Sequence, residues 1–229
     1  MSKPITGIAV MQLAEQNRLS LHDPVRKFIP AFAQLRVCKN SRGNKLYVPD
    51  PNRPAGETTA QELLARMEYE PAQSDIMVLQ LLSHCSGLGM GPVGNAYLDR
   101  LAAPEDTILQ RAEKYARLPL DFQPGAGSGY SGRAAFEVLA AILEIVSGQA
   151  FSEYLDRCLF RPLGIRELGF VFTPEQQSRI PRLYQYENGG LTDVSDTDIS
   201  WRQMDPLYFS GSAGMLDSME EYEKSPICC

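Results

Sequence analysis

The clearest chemical signal in this sequence is the run Phe122-Gln123-Pro124-Gly125-Ala126-Gly127-Ser128-Gly129-Tyr130-Ser131-Gly132. Pro124 and the glycines let the backbone turn sharply and take positive φ, so a side chain such as Tyr130 can be held at a fixed angle beside a cleft. Gly127, Gly129 and Gly132 also spell G-x-G-x-x-G ahead of a helical segment, the pattern of a dinucleotide-binding turn. Its context argues against that chemistry. Such a turn follows a buried strand, whereas Leu118 to Pro124 is short and holds two prolines, and the acidic residue about twenty positions on, Glu153, falls in another helical pattern. Taken alone, the loop is equally readable as a connection in which Tyr130 merely packs.

Other reactive side chains are sparse. His22 and His84 are the two histidines, too few for a His-rich metal site and without an aspartate spaced to form a triad. His84 reads as structural, because it follows the apolar helical turn Val78 to Leu82 and is flanked by Ser83 and Ser86, which can satisfy loop backbone groups. There is no G-x-S-x-G elbow, which disfavours an α/β-hydrolase. The five cysteines Cys38, Cys85, Cys158, Cys228 and Cys229 are odd in number and lack paired metal-ligand spacing, so they read as free thiols. Adjacent Cys228-Cys229 imitates a lipidated or metal-binding tail, but an unnatural terminus is the preferred reading. No metal and no cofactor is expected.

Stepping from these residues to the elements that carry them, Ala134 to Val146 is apolar but for Glu137 and Glu144. These lie seven apart on one face, so the rest of the helix should be buried, with Gly148 as its stop. Gly7 to Arg18 forms another apolar-rich helix, with Pro4 suited to its first turn. Pro104 to Arg117 makes a third, with Ile108, Leu109, Ala112, Tyr115 and Ala116 as its inner face and Glu105 and Asp106 favourable to its dipole. Asn40 to Asn44 reads as a turn between the strands Leu35 to Val37 and Lys45 to Val48, followed by a loop from Pro49 to Gly56 and a short helix from Ala60 to Met67. Leu168 to Phe172 and Arg182 to Tyr186 are strand candidates with Asn188-Gly189-Gly190 as a turn, and a last helix starts at Ser218 to Tyr222.

A net charge of −6 over 229 residues leaves no basic stripe for nucleic acid, and the apolar runs are too short or interrupted to cross a bilayer. A small molecule is the expected partner. The compartment is undetermined: no signal peptide opens the sequence, which slightly favours the cytoplasm and leaves an upstream signal open.

Lys3, Leu81-Leu82-Ser83-His84-Cys85-Ser86-Gly87-Leu88, Pro124-Gly125 and Tyr130-Ser131 together resemble the serine β-lactamase and penicillin-binding-protein-like family, which includes class C β-lactamases, D,D-peptidases, esterases and transesterases. The resemblance runs along nearly the whole chain. It continues through Asp23-Pro24-Val25 and Phe28-Ile29-Pro30, Phe151 to Leu155, Phe160-Arg161-Pro162-Leu163-Gly164 and Gly211-Ser212-Ala213-Gly214-Met215.

This resemblance implies an S-x-x-K pair opening a helix, the serine being acylated and the lysine, one turn later, relaying its proton. Lys3 matches the lysine, and the serine would fall one residue before Met1. Ser2 lies about 100° around the helix from that position and reads as a cap. Tyr130 matches the tyrosine that shares the proton transfer, and Ser131 and Gly132 match substrate-binding positions. The family commonly has Asn where Gly132 stands, which favours an esterase or transesterase over a β-lactamase. A further motif, Lys or His, a small residue and Gly, should follow Gly214 and is not reached.

The implied architecture is an α+β, β-lactamase/transpeptidase-like fold, mainly its helical lobe. Residues 1–229 then form a single incomplete domain, with 34–75 a variable loop-rich insertion and most of the antiparallel sheet missing. The implied function is a serine hydrolase or acyl transferase acting on an ester or amide through an acyl-enzyme. Its alternative is a non-catalytic fragment or small-molecule-binding pseudoenzyme on the same fold, and a dinucleotide-binding protein is the remote one. With the sheet absent, the first helix and the Ala134 to Val146 helix should expose apolar faces and the chain should self-associate.

Overall fold

A computed structural model of the chain describes residues 2–39, 68–89, 103, 105–187, 189–195 and 209–224. Its first helix, α1, spans Ser2–Glu15, with Ile5, Thr6, Ala9, Val10 and Leu13 on the buried face. It begins earlier than Gly7, since Pro4 needs no backbone donor in a first turn. Asn17, at φ 55°, ends it, and the Arg18 N–H reaches back to the Leu13 carbonyl at 2.9 Å in a Schellman-type closure.

Two short strands follow. β1 (Arg36–Cys38) pairs antiparallel with β2 (Tyr69–Pro71), placing Val37 opposite Glu70. The expected partner Lys45 to Val48 lies outside the described residues, as do Asn40 to Asn44, Pro49 to Gly56 and Ala60 to Met67. The next helices are α2 (Val78–Leu82) and α3 (Ile108–Tyr115). α3 starts at Ile108 rather than Pro104 because Thr107 and Gln110 form a reciprocal cap, the Gln110 N–H donating to Thr107 Oγ1 at 3.3 Å and the Thr107 N–H to Gln110 Oε1 at 2.9 Å. Asp106, expected to act on the helix dipole, is instead buried and bound by Lys114 at 2.6 Å.

The centre of the molecule is α4 (Ala134–Ser147), against which α1, α2, α3 and α5 (Phe151–Leu155) all pack. Residues 134–143 are buried without interruption, and Gly148, at φ 70°, closes the helix as the sequence indicated. Side chains such as Leu139, Ile142 and Leu143 are fully enclosed, each contributing about 1.5–3 kcal/mol by leaving water.

Two expectations about this helix fail for one reason. Glu137 does not mark a solvent face: it is 0% exposed, because the hydroxyls of Ser210 and Ser212 come over it as donors. Nor do α1 and α4 bare apolar faces, since each covers the other. Of the large hydrophobic residues that are exposed, only Met11 of α1 and Ile145 of α4 belong to these two helices among the described residues, and Val171, Tyr130, Tyr184, Tyr186, Leu191 and Met219 are more exposed.

After α5 a single π turn, Asp156–Phe160, leads into Gly164. Leu168 to Phe172 is no strand. Gly169 and Leu216 exchange two backbone bonds in one isolated bridge, while Phe170 packs against Phe151 and Phe209. Helix α6 (Pro174–Ser178) went unread although Thr173 and Gln176 spell its capping box. The hairpin of β3 (Tyr184–Glu187) and β4 (Gly190–Asp193) turns at Gly189, φ 82°, and α7 (Met219–Tyr222) is capped by Ser218. Among the described residues both sheets have two strands, so the α+β body is dominated by helices. Cys38, Cys85 and Cys158 form no disulfide among the described residues, and Cys228 and Cys229 lie outside them.

Candidate active site

Lys3 sits in the first turn of α1, half-buried, with its ammonium held in place by tertiary contacts. Nζ donates to the Ser212 carbonyl at 2.9 Å and lies 5.2 Å from the centre of the Tyr130 ring and 5.9 Å from that of Phe136. The structure therefore brings Lys3 and Tyr130 to one place although 127 positions separate them in the 229-residue sequence.

What sets the lysine is the turn at residues 210–215. Thr6 Oγ1 donates to the Gly211 carbonyl at 2.7 Å, and the Met215 N–H donates to Ser2 Oγ at 3.0 Å. Ser2 is thus a tie inside α1, 2% exposed, rather than a cap. On the other side the Ser212 hydroxyl donates to Glu137 Oε1 at 2.8 Å, and Ser210 donates to the same oxygen. Gly211 permits this approach: a Cβ there would fall 2.4 Å from the Phe136 carbonyl oxygen and 2.7 Å from the Ala140 Cβ. Buried hydrogen bonds of this kind hold geometry firmly, because a partner lost is not replaced by water.

The tyrosine is positioned from the end of α2. Gly87, at φ 73°, lies so near Phe122 that a Cβ would meet its carbonyl oxygen at 2.4 Å, and the Gly125 N–H donates to the Cys85 carbonyl at 2.8 Å. This close packing lays the Gly-rich loop along Ser83 to Gly87. Tyr130 itself is 66% exposed, its ring bounded by Lys3 on one side and by the His84 imidazole, 4.9 Å away between centres, on another.

The two neighbouring positions differ in what they offer. Ser131, expected among the substrate contacts, is fully buried and turns its hydroxyl to the Ala135 N–H at 3.1 Å, capping the start of α4. Gly132 is half-buried with an ordinary φ, and a Cβ there would meet Tyr130 Cε1 at 3.9 Å, so a side chain has room. The G-x-G-x-x-G reading gains no support, because β1 and Leu120 share only an isolated bridge and no strand feeds the glycines.

Glu137, Ser212 and His84 are parts of this site that motif reading did not assign to it. Gly211-Ser212-Ala213-Gly214 was visible as a motif, but its contact with a helical glutamate was not. His84 takes φ 57° and its imidazole faces Tyr130 and Phe136, with burial first and the Lys3 charge second holding its pKa below the ordinary histidine range. Among the described residues no cluster of three or more His, Cys, Asp and Glu is arranged to hold a metal, and no single helix is long and apolar enough to cross a membrane.

Lys3 and Tyr130 thus meet at one edge of a helix-rich α+β body. The chain belongs to the Beta-lactamase family, whose model matches residues 1–224. It is 29% identical over 189 residues to Esterase EstB of Burkholderia gladioli, an alignment covering 79% of this chain and 39% of the esterase. Of solved structures, EstCE1, described as a hydrolase with promiscuous acyltransferase activity, matches at TM-score 0.68 and 24% identity over 97% of this chain and 55% of that one. Simvastatin synthase LovD of Aspergillus terreus matches at 0.67 and 20%, over 97% and 50%. These similarities establish a β-lactamase/transpeptidase-like fold, in a family that includes esterases and acyltransferases. The chain spans about half, or less, of the length of each of these relatives.

Proposed function

We propose that this chain carries the proton-relay half of a serine acyl-transfer site. In this reading the Lys3–Tyr130 pair, short of one proton so that either the lysine amine or the tyrosine phenolate is the base, takes the proton of a seryl hydroxyl as it attacks an ester or amide carbonyl, then returns it to the departing alcohol or amine. The acyl group stays on the serine until water or an acceptor alcohol takes it. The serine of this reading belongs one helical turn before Lys3, as the family resemblance implies. Ser2 does not replace it, because its hydroxyl is buried and occupied by Met215.

The observation that carries the reading is the Lys3 ammonium set 5.2 Å from the Tyr130 ring centre while tied to the Ser212 carbonyl. A fluorophosphonate probe read by intact mass tests it. The 229-residue chain should take up none, and a chain extended upstream through a serine at the expected position should take up one equivalent. In the extended chain Lys3→Ala should abolish labelling and Tyr130→Phe should slow it by about 10²-fold or more. Labelling of Ser2 or Ser131, or an extended chain that never labels, defeats the proposal in favour of a binding protein on the same fold.

Esters are favoured over β-lactams because Gly132 supplies no amide where the family commonly has Asn. Gly132→Asn, for which there is space, should raise β-lactam acylation relative to ester acylation. Self-association is proposed through the exposed apolar residues Tyr184, Tyr186 and Leu191 rather than through α1 or α4.

A further inference from the structure

His84 stands where α1, α2, α4 and the Gly-rich loop meet, and the relay described above gives it no part. Its backbone is unusual: φ is 57°, in the left-handed region that a residue with a Cβ enters at a cost of about 1 kcal/mol. Such a conformation persists when its surroundings over-determine it.

Two hydrogen bonds do so, and they flank Tyr130. The Gly129 N–H donates to the His84 carbonyl at 3.0 Å, and the Ser131 N–H donates to His84 Nδ1 at 3.2 Å. The imidazole between these bonds lies 4.9 Å from the Tyr130 ring centre, tilted by 50°, and 5.4 Å from that of Phe136. One residue thus grips the backbone before and after the tyrosine and touches its ring.

We infer that His84 is the positioning residue for Tyr130, a neutral imidazole whose Nδ1 acceptor fixes residues 129–131 so that the phenol faces Lys3. This rests on the reading of Lys3 and Tyr130 as the relay pair. An imidazole nitrogen accepts only when it carries no proton, so the ring must be the Nε2–H tautomer. Adding a proton converts the acceptor into a donor aimed at another donor and places a second cation near Lys3. Among the described residues, Lys3 from α1 and the Tyr130 phenol from the loop are the charged and titratable groups shown facing the ring, and Phe136 from α4 is neither. Burial and the Lys3 charge both oppose protonation, in keeping with the role.

Nitrogen-15 NMR tests the geometry without catalysis. The chain has two histidines, and loss of one signal in His22→Gln assigns the other to His84. The His84 imidazole is expected in the Nε2–H form at pH 7 with a titration midpoint below the ordinary histidine range, and Lys3→Met should move that midpoint upward. An Nδ1–H tautomer, or a midpoint at or above the ordinary histidine range, overturns the inference.

Catalysis is tested in the chain extended through the upstream serine. His84→Gly relieves the left-handed strain and removes the acceptor, while His84→Asn keeps an acceptor close to the Nδ1 position and tolerates the backbone. The Gly variant should fold and lose roughly ten- to hundredfold in acylation kcat with KM within about twofold, the cost of a misplaced group. The Asn variant should recover most of that loss. A Gly variant at full rate, or an Asn variant no better than Gly, overturns the positioning role. Failure of the relay reading looks different: Lys3→Ala and Tyr130→Phe then leave acylation unchanged while the His84 tautomer persists, and the positioning role falls with it.

Discussion

The junction of α1, α4 and residues 210–215 and the hairpin of β3 and β4 are both tied by polar contacts, yet the two ties differ in what surrounds them. At the junction Ser2, Thr6, Glu137 and Ser212 are all at least 96% buried, and each makes a hydrogen bond to a partner distant in sequence. In the hairpin every strand residue is exposed and the Arg182–Asp193 pair is open to water. A hydrogen bond or ion pair in solvent exchanges one partner for another at little net gain, whereas a buried one that is broken leaves a desolvated group. The junction therefore fixes Lys3, while the hairpin is a two-stranded ribbon whose own stability is marginal.

The largest effect should come from filling the junction. Gly211→Ala drives a methyl group into the Phe136 carbonyl and Ala140, and should cost about 3 kcal/mol or more by urea denaturation. A loss below about 1 kcal/mol would mean that the 210–215 turn is not seated on α4. Next, Glu137→Leu removes the acceptor shared by Ser210 and Ser212 and should cost about 2 kcal/mol in the same assay. Tyr130 fluorescence quenching should change with it, because Lys3 is held through the backbone of Ser212.

A smaller effect of opposite sign is expected at Asp217, which lines a cleft of about 220 Å³ with Glu167, Arg179 and Ser218. Burial, reinforced by the Glu221 and Glu167 carboxylates and opposed by the Ser218 N–H and Lys224, raises its pKa from 3.8 to about 6. The folded chain thus holds this proton more tightly than the unfolded chain. The resulting stability is complete below pH 3.8 and is lost as pH rises through about 6. Asp217→Asn should accordingly melt higher than the parent at pH 7, by the equivalent of about 1 kcal/mol after allowance for solvent screening, and the gain should vanish near pH 4. A gain that is independent of pH would assign the effect to packing instead.

The smallest effects belong to the hairpin. Arg182→Ala should leave the melting temperature unchanged, and a clear drop would show the ribbon to be as tightly coupled as the junction. Replacing Tyr186 and Leu191 together by Ser should also spare the fold while reducing any concentration-dependent association seen by sedimentation.

Much of this architecture was legible because local chemistry and tertiary packing agree. The Ala134 to Val146 run is apolar but for Glu137 and Glu144 and stops at Gly148, and α4 is buried from Ala134 to Leu143 and ends at that glycine. Leu168 to Phe172 reads as a strand because a short aromatic and β-branched run suits one, but whether it becomes one depends on a neighbour, and the neighbour supplied is a single bridge from Gly169 to Leu216. Leu35 to Val37 reads as extended and β1 covers Arg36–Cys38, yet its described partner is Tyr69 to Pro71, since strand pairing is settled across space rather than by proximity in sequence.

The same division runs through the site. By itself the sequence determined that an apolar helix follows Lys3, that Tyr130 stands in a Gly-rich loop, and that both occur in the order and company of one enzyme family. Those are properties of residue type and spacing, which the chain carries unfolded. Only the tertiary structure decided that Glu137 faces inward, that Ser131 turns its hydroxyl to α4, and that His84 closes on both sides of Tyr130. Each of these depends on desolvated polar groups finding partners across the fold. An inward glutamate or a left-handed histidine is unfavourable when judged locally, and becomes stable only where hydroxyls and backbone amides from distant segments converge on it.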